Sequence, residues 1–325
     1  MGRRSRERRA RRAWLVSWLL PYAQRLAERV RKARPRAAYR LGRRIGDLLY
    51  ALGVTRRVLR RNLRLACGRD LAPAERRRFE RAYYRHLGLM LVEFLRLPTW
   101  TRGDLASFGP AVDEVRRIYG EGSGVIFVAG HAGLWELAGH VAGLCDVKLL
   151  SVAKLSGHAE LDAWVTSLRE SSRRGEVGQR IRDVNGSLWA MKKALDRGEA
   201  VGINVDQEAR KGMVFAPFFG IPAATSNAPA LLHLKTGAPI VVATVHRIGP
   251  FRYRLGIYDV IRHEPSLSRD EDVLAITARI NRAMEAMIQD HPEQWLWSHR
   301  RWRRRPPGEA DGALRRVAAA PGLEL

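Results

Sequence analysis

Between Gly124 and Gly130 the chain carries an unbroken apolar run, Val125-Ile-Phe-Val-Ala129. A run this short, rich in β-branched residues and closed by glycines, reads as a buried strand. From Leu134 the apolar positions recur at helical spacing, so residues 124–145 read as strand, tight turn and helix. The pattern repeats downstream. Strands are predicted at Val147–Val152, Ala200–Val205, Ile240–His246 and Arg252–Tyr258, and helices at Ala159–Arg173, 226–236 and 269–290. Residues 211–225 read as a loop with a sudden aromatic cluster. Strands alternating with helices predict an α/β fold with a mainly parallel mixed sheet flanked by helices.

Upstream the pattern is helical throughout. Residues 13–66 are Arg-rich with apolar faces, broken once at Pro35, and 71–98 read as one long helix with a stripe of Tyr83, Leu87, Met90, Leu91, Phe94 and Leu95. No internal repeat or linker divides the α/β part. The chain is therefore read as a basic amphipathic segment (1–35), one domain (36–305) and a disordered tail (306–325).

Charge changes this picture most. Lys and Arg number 58 against 33 Asp and Glu, a net charge of +25. Such a surface seeks anions: nucleic acid, anionic lipid or an acidic carrier protein. Arginines crowd both ends, from Arg3 to Arg12 and from Arg300 to Arg305. Residues 13–22 form an apolar stretch whose ten helical residues would span about 15 Å, against about 30 Å of hydrocarbon. Trp14, Trp18 and Tyr22 beside arginines suit an interfacial anchor on an anionic membrane. A nucleic-acid-binding protein is the rival from another class, but no recognition motif supports it. The two cysteines, Cys67 and Cys145, make no Cys-x-x-Cys pair, and neither a P-loop nor a dinucleotide fingerprint is present. No metal or cofactor is expected.

Candidate chemistry sits in the turn after the first strand. His131 lies between Gly130 and Gly133, and Glu136 follows in the first helical turn. Residues five apart on one helix diverge, so the two meet only if His131 precedes the helix. An imidazole oriented by a carboxylate at a strand end can act as a general base on a hydroxyl. The spacing alone is weak, because about one such pair arises by chance in this composition. Backbone N–H groups at the helix start near Gly133 are candidate oxyanion donors. The remaining histidines read as structural.

Five ordered stretches then fall together: His131-x4-Glu136, Gly202 to Asp206-Gln207, Val214-Phe-Ala-Pro-Phe-Phe-Gly220 with Pro222-Ala-Ala-Thr225, Thr236-Gly-Ala-Pro239, and Pro292-Glu-Gln-Trp-Leu-Trp297 with His299-Arg-Arg-Trp302. Over roughly 40–305 this order resembles the lipid A biosynthesis (lauroyl/myristoyl) acyltransferases, within the lysophospholipid and glycerol-phosphate acyltransferase group. The resemblance implies an enzyme on the cytoplasmic face of a bacterial inner membrane. It would move a fatty acyl chain from acyl carrier protein to a glycolipid hydroxyl, without a cofactor and without nucleic acid. It implies His131 as base, Glu136 as its orienting partner, and Arg169, Asp206, Gln207, Phe218, Phe219, Gly220 and Thr225 as substrate-binding residues. Ala228, Lys154 and Ser156 depart from the usual wording. The runner-up is an acyltransferase for another glycolipid or lysophospholipid, such as a phosphatidylinositol mannoside, using acyl-CoA.

Overall fold

The computed structural model describes residues 3–184, 186–262, 268–308 and 322–325, with side chains from residue 14 onward. Four helices come first: α1 (Arg3–Lys32), α2 (Pro35–Leu52), α3 (Arg56–Cys67) and α4 (Pro73–Leu95). Pro35 and Pro73 stand where a helix start has no N–H to lose, and Gly53 and Gly68 end α2 and α3 in the left-handed conformation. The α/β part follows as α5 (Ala111–Gly120), β1 (Val125–Ala129), α6 (Trp135–Leu144), β2 (Lys148–Ala153), α7 (Ala159–Arg169), β3 (Gly178–Asp183), α8 (Ser187–Asp196) and β4 (Ala200–Asn204). It closes with β5 (Met213–Phe218), β6 (Ile221–Ser226), α9 (Ala228–Thr236), β7 (Ile240–Gly249), β8 (Arg252–Ile261) and α10 (Arg269–Asp290).

The main sheet has the order β3-β2-β4-β1-β7-β8, parallel except for antiparallel β8 at one edge. The expected mainly parallel mixed sheet is therefore present. β1 lies inside it, which is why its sequence is apolar on both faces. Ile126 and Val128 pack with α8, α9 and α10, whereas Val125 packs with α5 and α6. The connections leaving the neighbouring strands β1 and β4 thus depart to opposite faces, and such a divergence opens a crevice at the carboxyl ends of the strands.

Two elements escape the hydrophobic pattern. β3, Gly-Gln-Arg-Ile-Arg-Asp, is an edge strand with one apolar residue, so no run marks it. The aromatic stretch expected as a loop is a β5–β6 hairpin. Its turn, Phe219-Gly220, has positive φ at both residues (48° and 71°), the twist-matched arrangement for two-residue hairpins, here with Phe where Asn or Asp is usual.

The helical part joins the sheet through a close crossing of α2 on α4. A Cβ on Gly88 would lie 2.2 Å from the Gly42 carbonyl, and one on Gly46 2.4 Å from the Tyr84 carbonyl. A buried Arg247–Glu93 ion pair, with Tyr253 donating to Glu93 at 2.8 Å, ties α4 to β7 and β8. Near the C-terminus Leu323 is buried, and its N–H donates to the Ala66 carbonyl. Residues 309–321 lie outside the described residues. No helix among the described residues is long and apolar enough to cross a membrane.

Candidate active site

The crevice between β1 and β4 holds His131 and Asp206. β1 ends at Ala129, paired with Asn204 of β4, so the residues after the two strands emerge side by side. Gly130 has no side chain to hold the Asp206 carboxylate away: a Cβ there would lie 3.2 Å from it. Asp206 Oδ1 accepts from His131 Nδ1–H at 2.8 Å, while Oδ2 accepts from both the His131 backbone N–H and the Trp295 indole, each at 2.7 Å. An anionic partner at Nδ1 places the proton of a neutral imidazole there and leaves Nε2 unprotonated. Nε2 lies 3.3 Å from the Gln207 amide.

The turn is braced from below. Gly133, at φ +61°, sits where a Cβ would meet the Val245 carbonyl at 2.3 Å. Its N–H donates to the Gln294 carbonyl, and that of Leu134 to Val245. The N–H groups of Gly133 and Leu134 are therefore already used, which narrows the expected oxyanion donors to the helix start itself. Donors without intrahelical partners remain in the first turn of α6.

Electrostatics fix the roles. Burial alone would lower the His131 pKa, but the charge and hydrogen bond of Asp206 outweigh it and hold the imidazole above its usual 6.5. Asp206 is fully buried, which would raise its pKa, yet His131 and the Trp295 donor hold it down at about 2. It stays an anion at any working pH.

Glu136 is placed differently from expectation. Its two oxygens accept from Arg169 Nε at 2.8 Å and Nη2 at 2.6 Å, a bidentate pair between the starts of α6 and the end of α7. The carboxylate that hydrogen-bonds His131 is Asp206, not Glu136. Glu136 still reaches the imidazole through its charge, raising the His131 pKa while Arg169 lowers it.

His131, Glu136, Arg169 and Gln207 line one cavity of about 780 Å³. It runs between α6 and the sheet because small residues face each other there: Ala138, Gly139 and Ala142 on the helix, and Ser151, Gly202 and Ala243 on the strands. Its depths are apolar, with Val115, Val141 and Leu255. Cys145 is in this wall too, and burial pushes its thiol up and away from a thiolate.

Phe218, Phe219, Gly220 and Thr225 do not line this cavity. All four are buried behind it, and they serve packing instead. Phe218 meets Trp295 and Trp302 edge-on or tilted, and Thr225 accepts from Arg301 at 2.6 Å. Arg301, in the arginine run near the C-terminus, has no exposed surface. It donates to the Ala224 carbonyl at 2.7 Å and lies over the Phe218 ring, and burial lowers its pKa to about 10. Trp295 is the site residue whose role the sequence did not disclose, since its partner Asp206 is far away along the chain.

An imidazole and a carboxylate thus meet at a strand end, on the wall of a cavity with many apolar lining residues. The profile of the family described as bacterial lipid A biosynthesis acyltransferase matches residues 1–304. Over 259 residues the chain is 32% identical to the lipid A biosynthesis palmitoleoyltransferase of Escherichia coli K12, covering 78% of this chain and 80% of that protein. A Shigella flexneri lipid A biosynthesis acyltransferase matches to the same extent. The E. coli K12 lipid A biosynthesis lauroyltransferase is 27% identical over 257 residues, again 78% and 80% of the two chains. The chain belongs to the bacterial lipid A biosynthesis acyltransferase family, and it is an acyltransferase.

Proposed function

We propose that this enzyme transfers a fatty acyl chain from an acyl carrier protein thioester to a hydroxyl of a lipid A precursor, with His131 as general base. The observation that carries this reading is His131 itself, anchored at Nδ1 by Asp206 and presenting Nε2 to the cavity mouth beside Gln207. In this reading the acceptor hydroxyl takes the place of the Gln207 amide at Nε2. As its oxygen attacks the thioester carbon, its proton passes to Nε2, and Asp206 stabilises the imidazolium. First-turn N–H groups of α6 face the oxyanion. The tetrahedral intermediate then collapses, the C–S bond breaks, and the thiolate leaving group takes the proton back from Nε2. Glu136 and Arg169 set the charge around the imidazole rather than hold it. Direct transfer is favoured over an acyl-enzyme, because Cys145 is buried in the wall with a raised pKa.

The enzyme is also proposed to work at the cytoplasmic surface of a bacterial inner membrane. Exposed Trp14, Leu15, Trp18, Leu19 and Tyr22 on α1 support this, as do exposed Leu188 and Val184 on the cavity rim. A basic surface also suits an acidic carrier protein as donor.

The test is transfer by the purified full chain in mixed micelles, with a lipid A precursor and either acyl carrier protein or CoA thioesters, read by mass spectrometry. A mass gain of one acyl chain from the carrier-protein donor is expected, and His131→Ala lowers the rate by at least about 10²-fold. No transfer to that acceptor from either donor, or near-normal turnover in His131→Ala, rejects the reading.

A further inference from the structure

Three exposed cations line the cavity, and none has an ion-pair partner among the described residues. Lys154 follows β2, and Arg210 and Lys211 lie in the segment joining β4 to β5; all three are exposed and line the cavity. The carboxylates sharing that lining are engaged elsewhere, Glu136 by Arg169 and Glu208 by Arg304 at 3.4 Å. Among the described residues, no carboxylate forms an ion pair with Lys154, Arg210 or Lys211. Near Lys154, the Asp183 carboxylate accepts from the Leu155 backbone N–H, and that of Asp162 from those of Ser156 and Gly157.

The segment carrying two of these cations is braced. The Glu208 N–H donates to His299 Nε2 at 2.9 Å, and the Ala209 N–H to the Ala224 carbonyl at 3.2 Å. On the far side, the Gly212 carbonyl accepts from the Asn227 N–H at 3.0 Å. Gly212 adopts φ +55°, the left-handed conformation that turns the chain back toward β5. Arg210 and Lys211 are thus held between two fixed points, three and four residues after Gln207, whose amide touches the base. Holding like charges together without a counter-ion costs free energy, and an arriving anion recovers it. Neutral hydrogen-bonding groups, Asn204, Ser226 and Asn227, stand in the same lining.

We propose that Lys154, Arg210 and Lys211 form a phosphate-binding rim, which seats a phosphate ester of a substrate while its reacting group lies at His131. The inference rests on the acyl-transfer reading above and adds the recognition element. An arginine fork with two ammonium groups suits a phosphate better than a carboxyl group or a neutral sugar. The phosphate can come from the glycolipid acceptor or from the phosphopantetheine arm that carries the acyl thioester.

The test measures binding and turnover separately, using the full chain and the Lys154→Gln/Arg210→Gln/Lys211→Gln variant. Calorimetry compares a bisphosphorylated disaccharide lipid with the same lipid after phosphatase treatment, and acyl-phosphopantetheine with acyl-pantetheine. For one of the two pairs, removing the phosphate should weaken binding to the unsubstituted chain by at least about 10-fold. The variant should bind both members of that pair equally. The pair that responds names the source of the phosphate. The rim is rejected if the unsubstituted chain binds all four without regard to phosphate, or if the variant loses affinity for phosphorylated and dephosphorylated ligands alike. Absence of acyl transfer alongside a phosphate preference would sink the parent reading and leave the rim standing.

Discussion

His131 feels two carboxylates and one guanidinium, and each acts on it in a different way. Asp206 touches Nδ1, sets the tautomer and raises the pKa; Glu136 raises it further through its charge, and Arg169 opposes Glu136. A base must be unprotonated to accept a proton, so the acid limb of kcat/KM is expected above pH 6.5. Removing a group that raises the pKa moves that limb to lower pH, and removing one that lowers it does the reverse. Glu136→Gln is therefore expected to shift the limb down and Arg169→Met to shift it up, read from pH–rate profiles. Asp206→Asn is expected to lower kcat by at least about 10²-fold as well as moving the limb down, because it also frees the tautomer. An unmoved limb in both Glu136→Gln and Arg169→Met would show that the observed limb belongs to another group.

Among the elements, the α2–α4 crossing and the β5–β6 hairpin are the tightest. At the crossing the backbones meet with no side chain between them, since Gly88 faces Gly42 and Gly46 directly. Gly88→Ala must push the helices apart, and an overpacked contact of this kind costs about 1–3 kcal/mol. A lower thermal midpoint with the pH–rate limb unchanged is the expected result, because the crossing supports the fold and touches no site residue. The hairpin shows how an aromatic motif can mislead. The family resemblance implies Phe218 and Phe219 as substrate-binding residues, yet Phe218 packs on Phe219 and on the C-terminal indoles of Trp295 and Trp302.

For the whole molecule the question is how a +25 protein meets its lipid. α1 buries Leu20, Ala27 and Val30 while Trp14, Trp18 and Leu19 remain exposed. It rests against α4 and α7, and α7 ends at Arg169, so the exposed row belongs to the part of the molecule that contains the site. Replacing Trp14, Trp18 and Leu19 with serine should reduce co-sedimentation with anionic vesicles at least about 10-fold, given the apolar area each would bury. Raising the salt should weaken the remaining binding by screening the arginines. Vesicle binding unchanged by these substitutions would place the docking surface elsewhere.

Periodicity and composition were enough for the strands β1, β2, β4, β7 and β8 and for the parallel sheet, whereas the histidine at the end of β1 stood out only once the family motifs were set beside it. His131 and Glu136 were legible from their types and local setting, and Arg169, Asp206 and Gln207 through the resemblance of their surroundings to family motifs. Their pairing was not. A sequence displays neighbours along the chain, so Glu136 was the natural partner for His131. The sheet instead sets β4 beside β1, which brings Asp206 across from 75 positions away and leaves Glu136 to Arg169. Edge strand β3, with too few apolar residues to signal itself, and buried Arg301, charged but fully enclosed, escaped for the same reason. Chain order governs which segments become strands and helices. Which polar groups satisfy one another is settled only when burial forces each to find a partner.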